Sequence, residues 1–302
     1  MLFSIIIPFH NNPGSDRSAM MNELLMTIPD RPDLEIILVD DRSTSPFSPV
    51  RVFDRASLRI EAVPAGFTYA GMARNFGMDI ASGEWVIFAD SDDLFDPAGL
   101  LIAMDVATGV DGAEADVIVF LADSFMDTPQ GRTRADRHTY NNRLVYDRIR
   151  GDDPNALARM TTPWCRLARV DFLANAGIRF GRTRVAEDHV FATALALASP
   201  RICALPVVAY MVRESADSLV RSYDTQDLID RITAVRASNQ ALRAGNMAVH
   251  ATPLYRFIIE LARMSPRLGA REIWRSARCG DMILPSPAQL VRAFRRRYGS
   301  LR

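Results

Sequence analysis

The chain has 302 residues, 48% hydrophobic and 24% charged, so it can bury a large core as one α/β domain or as a domain with an extension, and its composition argues against disorder. Its 36 basic residues are all arginine, which excludes chemistry that needs a lysine, such as a Schiff base or a P-loop lysine. The formal net charge is zero, no apolar run approaches the ~20 residues of a membrane-spanning helix, and the N-terminus lacks the charged region and cleavage site of a signal peptide.

The N-terminal part of the chain alternates predicted strands with predicted helices. The strands are predicted at 3–7, 34–39, 58–63 and 84–89, and the helices at 17–27 and 69–81. Strands that alternate with helices are typical of a parallel sheet with right-handed crossovers. No G-x-G-x-x-G pattern follows the first strand, which argues against a dinucleotide-binding fold.

Residues 97–221 show a less regular pattern. Strands are predicted at 115–121 and 204–212, and a helix at 187–198. The polar stretch 128–142 is predicted to be a long loop, and loops of that length are often lids or binding elements. The three cysteines (Cys165, Cys203, Cys279) are widely spaced, which predicts reduced thiols in a cytoplasmic protein rather than disulfides or a zinc site.

One apolar run, Trp85–Ala89, ends abruptly in the carboxylates Asp90, Asp92 and Asp93. Open α/β sheets bind ligands at the carboxyl ends of their strands, and crowded carboxylates are costly to ionise together unless a cation compensates them. Hard oxygen ligands suit Mn²⁺ or Mg²⁺, which we therefore predict as the cofactor. The alternative, an acidic turn before a helix, explains Asp96 as an N-cap but leaves the other three carboxylates unexplained.

Two further acidic pairs accompany this cluster. Asp40 and Asp41 follow the second predicted strand, so they are expected at the same edge of the sheet. Glu187 and Asp188 begin a predicted helix. Carboxylates at a helix N-terminus are favourable without any function, and the pattern alone leaves that alternative open.

Seven motifs occur in order between residues 2 and 220. They are Ser4–Asn11, Glu35–Ser43, Gly66–Asn75, Gly83–Asp93, Pro163–Leu167, Gly177–Phe180 and Ala186–Asp188. Together they resemble glycosyltransferase family 2, whose members are inverting enzymes. The resemblance implies the GT-A fold, a Rossmann-like, mixed and mostly parallel sheet flanked by helices. It also implies transfer of a sugar from a nucleotide sugar to a hydroxyl of a saccharide or glycolipid, in the synthesis of a bacterial surface polysaccharide.

The same resemblance implies roles for individual residues on the nucleotide side. Asp41 would accept a hydrogen bond from the imide of the nucleobase, which favours a UDP-sugar, with GDP as the main rival. Asp40 would support Asp41, and Asp90 would lie near the ribose. The implied nucleotide-binding residues are Pro8, His10, Asn11, Asp40, Asp41, Arg74, Asp90 and Ser91.

Catalytic roles follow from the resemblance in the same way. Asp92 would bind the metal, which stabilises the departing nucleoside diphosphate. Asp188 would be the general base that deprotonates the acceptor hydroxyl, with Glu187 in support. Arg74 would either orient the site or contact the diphosphate, and Trp164 would lie on the acceptor side.

Several residues depart from the family pattern. His10 replaces a common tyrosine and can still stack on a base. Arg42 replaces a common glycine, so the turn there is open to change, and Cys165-Arg166 stands where Asn-Lys is frequent, which puts the acceptor contact there in question. Arg213 lies in a late segment that resembles one near the phosphates, and the alternative is a plain surface arginine.

Two other functions compete with glycosyl transfer. A nucleotidyltransferase also combines an α/β sheet with acidic metal ligands, but it typically carries a Gly-rich basic loop after the first strand, and residues 8–14 do not resemble one. An inactive nucleotide-sugar binding module would be favoured by loss of Asp92 or Asp188, and both residues are present. Turnover with and without EDTA separates the three functions.

Residues 225–302 are expected to form a basic helical extension to a domain at residues 1–224, whose nucleotide-sugar half (about 1–105) precedes an acceptor half (about 106–224). The extension has fourteen arginines and five acidic residues, a net charge of +9, so the first 224 residues carry −9. Residues 267–302 are predicted to contact an anionic membrane surface, which makes the protein peripheral to the inner face of a membrane. The alternatives are a solvated basic face and a docking site for a partner protein. The basic positions at helical spacing are Arg267, Arg271, Arg275, Arg278, Arg292, Arg295, Arg296 and Arg297.

Overall fold

The computed structural model describes residues 1–11, 17–66, 69–110, 112, 114–152, 155–214 and 224–281. Its strands are β1 (Phe3–Phe9), β2 (Leu34–Asp40), β3 (Ser57–Ala62), β4 (Trp85–Phe88), β5 (Leu94–Phe95), β6 (Val117–Thr128), β7 (Gly131–Arg134), β8 (Arg166–Arg169) and β9 (Ile202–Arg213). Its α-helices are α1 (Arg17–Thr27), α2 (Tyr69–Ile80), α3 (Pro97–Thr108), α4 (Thr139–Arg150), α5 (Val170–Asn175), α6 (Glu187–Leu197), α7 (Thr225–Ala244), α8 (Tyr255–Met264) and α9 (Pro266–Cys279).

The strands of the described residues form one mixed sheet, in the order β3-β2-β1-β4-β8-β6-β9-β5, with β7 paired to β6. The first four strands run parallel, as the alternating pattern predicts. β1 and β2 are buried along almost their whole length, which matches their continuous apolar sequences. The other half is mixed, because β8 runs antiparallel to both β4 and β6 while β9 is parallel to β6.

The predicted loop at residues 128–142 is wrong. β6 continues to Thr128, a two-residue turn leads into β7, and α4 begins at Thr139. All four residues of β7 are exposed, so its sequence lacks the apolar alternation that marks a half-buried strand. The short strands β5 and β8 escape prediction for a related reason, since two or four residues carry no period.

The described part of the extension, residues 225–281, contains α-helices and one short 3₁₀ turn, as predicted. Leu254, Ile258 and Leu261 are buried and Phe257 is partly buried, in a small apolar cluster with Leu228, Ile232 and Val235 of α7. This cluster is separate from the main core around the sheet. A buried Arg236 on α7 pairs with Glu272 on α9 and with Asp281, which ties the first and last helices of this segment together.

No helix in the described ranges is long and apolar enough to cross a membrane. The predicted basic positions Arg292, Arg295, Arg296 and Arg297 lie outside the described residues.

Candidate active site

Three parallel strands bring the predicted nucleotide residues to one edge of the sheet. β1 lies between β2 and β4, so the chain order reverses at β1. Such a switch point leaves a crevice at the strands' carboxyl ends, where ligands of open α/β sheets bind. The backbone N–H of Asp41 donates to the carbonyl of Phe9 (2.8 Å), and that of Ala89 donates to Ile6 (3.2 Å), which aligns the three strand ends. Pro8 lies within β1 beside Val39.

The end of β2 is built around a tight turn. The backbone N–H of Ser43 donates to the Asp40 carboxylate (2.8 Å), and the backbone N–H of Asn11 donates to the Ser43 hydroxyl (2.7 Å). His10 Nδ1 lies 2.6 Å from the carbonyl oxygen of Asp41, so its ring is held beside that residue. Arg42 takes a left-handed φ of 60°, so the turn keeps a glycine-like backbone although its residue is arginine.

Asp41 is half-buried beside this turn. Burial raises the pKa of its carboxyl, and Asp40 adds to that rise, while His10 and a hydrogen bond from the Tyr69 backbone oppose it. A carboxylate in this position is suited to accept a hydrogen bond from a ligand N–H in the crevice.

Arg74 of α2 joins the nucleotide residues to the predicted catalytic pair. Its side chain is buried and donates to Asp90 (2.5 Å) and to Glu187 (3.0 Å), residues that lie 16 and 113 positions away in sequence. Burial lowers the pKa of Arg74, but the two carboxylates outweigh that effect and leave it above its ordinary value. The guanidinium also lies over the ring of Phe180, 5.3 Å from its centroid. Its donors are therefore directed at protein carboxylates. Of the two roles that the sequence left open for Arg74, orienting the site and contacting the diphosphate, this arrangement fits the first.

Helix α2 packs unusually close to Glu187. A Cβ built on Gly71 would lie 2.5 Å from Glu187 Cγ and 2.8 Å from the backbone oxygen of Gly181. Real Cβ atoms do not approach other atoms so closely, so only glycine fits at this point of α2.

Tyr210 of β9 fixes the acidic loop after β4. Its hydroxyl donates to the Asp93 carboxylate (2.9 Å) and accepts from the backbone N–H of Asp90 (2.9 Å). Asp93 is 3% exposed, and burial together with Asp90 and Asp92 raises the pKa of its carboxyl well above the usual range. Asp93 is therefore a buried support of the loop, and Ser91 is buried in the same loop.

Arg213 also supports this loop. Its backbone N–H donates to Asp93 (2.7 Å), its Nε donates to the carbonyl of Asp92 (2.7 Å), and its guanidinium pairs with Glu23 and Asp127. Arg213 is 6% exposed, so the interpretation as a plain surface arginine is wrong. Two carboxylates and a carbonyl oxygen compensate the charge of this buried arginine.

Asp92 differs from its neighbours because its side chain is exposed. Partial desolvation by the surrounding protein and the negative charge of Asp90 raise the pKa of the Asp92 carboxyl, while the charges of Arg17 and Arg137 oppose that rise. Within the described part of the chain, Asp92 forms no ion pair, and the hydrogen bond to its carboxylate comes from its own backbone. An exposed carboxylate without an ion-pair partner, at a strand end, has the chemistry of a ligand for a hard cation.

The donor set fits a cation that also binds a ligand. No group of three or more histidine, cysteine, aspartate or glutamate side chains among the described residues could hold a metal alone. Mg²⁺ and related ions are usually held by one or two carboxylates plus phosphate oxygens, and Asp92 next to Asp90 supplies that number.

Glu187 and Asp188 form the first turn of α6. Burial raises the pKa of both carboxyls, to about 7 for Glu187 and to about 6 for Asp188, although Arg74 opposes the rise in each. Ala186, just before them, takes a left-handed φ of 62°, and such strain in a residue with a Cβ is often found at functional sites. Asp188 is the more accessible of the two, and its position suits a base that faces a ligand.

Trp164 lies beneath the site rather than at its surface. It is 2% exposed and stacks on Tyr210 at a centroid separation of 5.5 Å, so it packs under the residue that holds Asp93. Cys165 and Arg166 are buried as well, and Arg166 donates to the carbonyls of Met160 and Thr162. This conformation leaves all three with almost no surface for an acceptor.

Several residues of this site have no role predicted from the sequence. Tyr210 lies on β9 three residues before Arg213, and strand positions three apart point to opposite faces, so spacing does not link the two. Arg231 of α7 acts on Asp188 by its positive charge, and Arg17 and Arg137 act on Asp92 in the same way. No local pattern in the sequence marks these three arginines.

Comparison with known proteins shows which family the chain belongs to. The protein-family model described as Glycosyl transferase family 2 matches residues 4–176, more than half of the chain. The chain belongs to glycosyl transferase family 2. The family that the motifs suggested from the sequence is thereby confirmed.

Solved structures of S. aureus TarS have the same fold. S. aureus TarS 1–349 in complex with UDP-GlcNAc superposes with a TM-score of 0.59 at 20% identity, covering 87% of this chain and 71% of that chain. TarS 1–349 in a further structure gives a TM-score of 0.55 at 19% identity, covering 93% and 92%. The predicted GT-A fold with C-terminal helices is confirmed.

Curated relatives match over parts of their length. The poly(ribitol-phosphate) beta-N-acetylglucosaminyltransferase TarS of Staphylococcus aureus (strain MW2) is 25% identical over 218 residues, which are 70% of this chain and 35% of that protein. The poly(ribitol-phosphate) beta-glucosyltransferase of Bacillus spizizenii is 32% identical over 106 residues, 33% of this chain and 16% of that protein. The chain thus spans at most about a third of the length of these relatives.

Proposed function

We propose that this chain transfers a sugar from a nucleotide sugar, a UDP-sugar, to a hydroxyl of a saccharide or glycolipid acceptor with inversion at the anomeric carbon. The observation that carries the proposal is the bridge through Arg74, which sets Asp90 of the nucleotide strands and Glu187 beside Asp188 around one guanidinium. Nucleotide-side and acceptor-side carboxylates therefore share one site, as transfer between two substrates requires.

The roles of the side chains follow from their positions. Asp41 accepts from the nucleobase, with His10 held against its backbone. Asp188, a carboxyl whose pKa is raised to about 6, takes the proton of the acceptor hydroxyl as that oxygen attacks the anomeric carbon. Glu187 and Arg74 hold the catalytic turn and the Asp90 loop in register. Tyr210 and Arg213 hold the backbone of the loop that carries Asp92.

Asp92, with Asp90 beside it, would hold the divalent cation. When bound, Mn²⁺ or Mg²⁺ stabilises negative charge on the departing diphosphate. Trp164 supports the acceptor side from beneath. The exposed arginines Arg17 and Arg137 place positive charge near the proposed metal site. Arg213 is too fully engaged with protein carboxylates in this conformation to be the first candidate for a phosphate contact.

The donor is tested by calorimetric titration of UDP and GDP in the presence of Mn²⁺. Asp41 can pair with the imide N–H of uracil, and the structure determined for a TarS relative contains UDP-GlcNAc, so we expect UDP to bind more tightly. Tighter binding of GDP would overturn the choice of donor. Nucleotide-sugar turnover that persists unchanged in EDTA would overturn the metal requirement.

The biological setting is proposed from the relatives. Two of them are named as poly(ribitol-phosphate) glycosyltransferases, which supports an acceptor belonging to a bacterial cell-surface polymer. A polymer assembled at a membrane would bring the basic extension close to anionic lipid, so we propose peripheral attachment through residues 267–302. The nucleotidyltransferase and binding-module alternatives both predict no sugar transfer, and the same turnover assay excludes them or supports them.

A further inference from the structure

A cleft with a mixed polar and apolar lining lies between the catalytic part and the helical extension. Its volume is about 360 Å³, within the ~300–1,000 Å³ of typical ligand pockets. Its walls come from α4, α6, α7 and the segments around residues 158–161 and 249–253. The side chains used below are Tyr140, Arg159, Thr161, His189, Thr193 and Ser238.

Helices α6 and α7 both line the cleft. His189 and Thr193 are four residues apart on α6, so they lie on one face of that helix. Ser238 and Leu242 have the same spacing on α7. His189 follows Asp188 directly, so the part of α6 that lines the cleft begins one residue after the proposed base.

The hydroxyl of Ser238 is an unsatisfied hydrogen-bonding group among the described residues. The residue is 5% exposed, and its Oγ has no hydrogen-bond partner in the described part of the chain. A buried hydroxyl without a partner costs about 1–3 kcal/mol. Ser238 also contributes to the lining of the cleft, so a small rotation of its side chain would bring the hydroxyl to a ligand there.

The lining favours a neutral, hydroxyl-rich ligand. Hydroxyls from Thr161, Thr193 and Ser238 offer both donors and acceptors. Burial and the charge of Arg231 lower the pKa of His189 to about 4, so its imidazole is neutral at ordinary pH. Arg159 is the one permanent charge among the described residues of the lining. Tyr140, 47% exposed at the cleft, offers a ring face of the kind on which sugars pack.

We propose that this cleft binds a saccharide unit of the acceptor next to the unit whose hydroxyl is glycosylated. The proposal rests on the function proposed above and adds the chemical class and the place of the acceptor. It makes the extension part of the acceptor site, since α7 supplies one wall.

Saturation-transfer NMR with short oligosaccharides of glucose and of N-acetylglucosamine tests the cleft without requiring turnover. We expect at least one of these probes to bind the full chain. Tyr140→Ala and Ser238→Leu, which remove the ring and fill the cleft, should each weaken that binding by about tenfold, equal to about 1.4 kcal/mol. Tyr146→Ala, on the same helix α4 and similarly exposed, should leave it unchanged.

UDP titration of the same samples separates the two proposals. Unchanged UDP binding by both variants shows that the fold is intact. Should UDP bind while no oligosaccharide does, or should Tyr140→Ala leave saccharide binding intact, the cleft proposal is overturned and the donor function stands. A chain that binds no UDP overturns the donor function instead. Tyr140 is exposed, so its variant decides the matter even if Ser238→Leu does not fold.

Discussion

At the scale of single residues, four aspartates close together in the fold have different environments and therefore different chemistry. Asp93 is buried and bonded to Tyr210, Asp90 pairs with Arg74, and Asp92 is exposed without an ion pair among the described residues. Asp188 follows Glu187, the second carboxylate partner of Arg74, and burial raises the pKa of the Asp188 carboxyl. The sequence shows four similar carboxyls, and only the surroundings assign their roles.

Replacing Asp92 with alanine should abolish transfer and weaken UDP binding in Mn²⁺ while leaving the fold intact. Its side chain is exposed and packs in no core, so its loss removes a cation ligand and little else. Calorimetry with and without Mn²⁺ and thermal unfolding measure the two effects. Asp105→Ala, which removes an exposed carboxylate of α3, is the control. Near-normal activity of Asp92→Ala in Mn²⁺ would rule out the metal role.

Asp188→Asn should lower turnover by roughly 10²–10⁴, the usual contribution of general-base catalysis, with UDP and Mn²⁺ affinities close to wild type. Asn keeps the size of the side chain but cannot take a proton. Asp171→Asn, in the first turn of α5, is a matched control and should leave turnover unchanged. Loss of donor affinity with normal turnover at saturation would show that Asp188 is not the base.

The raised pKa of Asp188 also predicts the acid limb of the pH profile. A carboxyl with a pKa of about 6 keeps its proton at pH 5, where an ordinary aspartate has lost it, and a protonated carboxyl cannot act as a base. Turnover should therefore fall by about tenfold per pH unit below pH 6. A limb centred near pH 4 would mean that the group acting as base is an ordinary carboxyl.

At the scale of elements, strands and helices with an apolar period were predictable and polar elements were not. β1, β2 and β4 are continuous apolar runs, and Asp96 caps α3 ahead of a proline, as expected. β7 has only exposed residues, so nothing in its sequence distinguishes a hairpin strand from a loop. Its pairing with β6 depends on the turn after Thr128, whose hydroxyl donates to the carbonyl of Gly131.

Helix α9 supplies the described part of the predicted membrane contact. Arg267, Arg271, Trp274 and Arg278 fall at helical spacing on its outer face, and Trp274 is 61% exposed. Its acidic residue, Glu272, is buried and pairs with Arg236, so it does not offset the outer arginines. An interfacial tryptophan amid arginines is typical of helices that lie on anionic membranes.

Co-sedimentation with vesicles tests α9. The full chain should bind anionic vesicles more than neutral ones and lose binding at high salt, because each arginine near the surface contributes about 1 kcal/mol within a Debye length. Arg271→Glu with Arg278→Glu should remove most of the binding, whereas Arg55→Glu with Arg143→Glu, exposed on the catalytic part, should not. Equal binding to neutral and anionic vesicles contradicts the contact.

At the scale of the whole molecule, Arg74 joins parts of the chain that local patterns treat separately. Its partner Glu187 is 113 residues away, and no period or spacing in the sequence links the two. The individual site residues could be predicted from motifs, but the bridge between them depends on how α2 and α6 pack across the sheet. Long-range packing of this kind is what a single sequence does not reveal.

Arg74→Ala should destabilise the fold by about 3–5 kcal/mol, because removing one partner leaves buried carboxylates uncompensated. Without the arginine, the pKa of Glu187, which is already raised to about 7, rises further, so the folded state of the variant binds more protons than that of the wild type. The loss should therefore be smaller at pH 5 than at pH 8. Chemical unfolding at both pH values measures it. Arg179→Ala, which breaks an exposed pair with Asp79, should cost only ~0–1 kcal/mol, and equal losses for the two variants would contradict the bridge.

The close approach of Gly71 to Glu187 has a consequence for how related sequences can diverge. The missing Cβ would collide with a backbone oxygen as well as with the glutamate, so shortening the glutamate alone does not make room for alanine. Position 71 must therefore stay glycine whatever residue stands at position 187. In an alignment of relatives, glycine at position 71 should persist even in chains that have lost the Arg74–Glu187 pair.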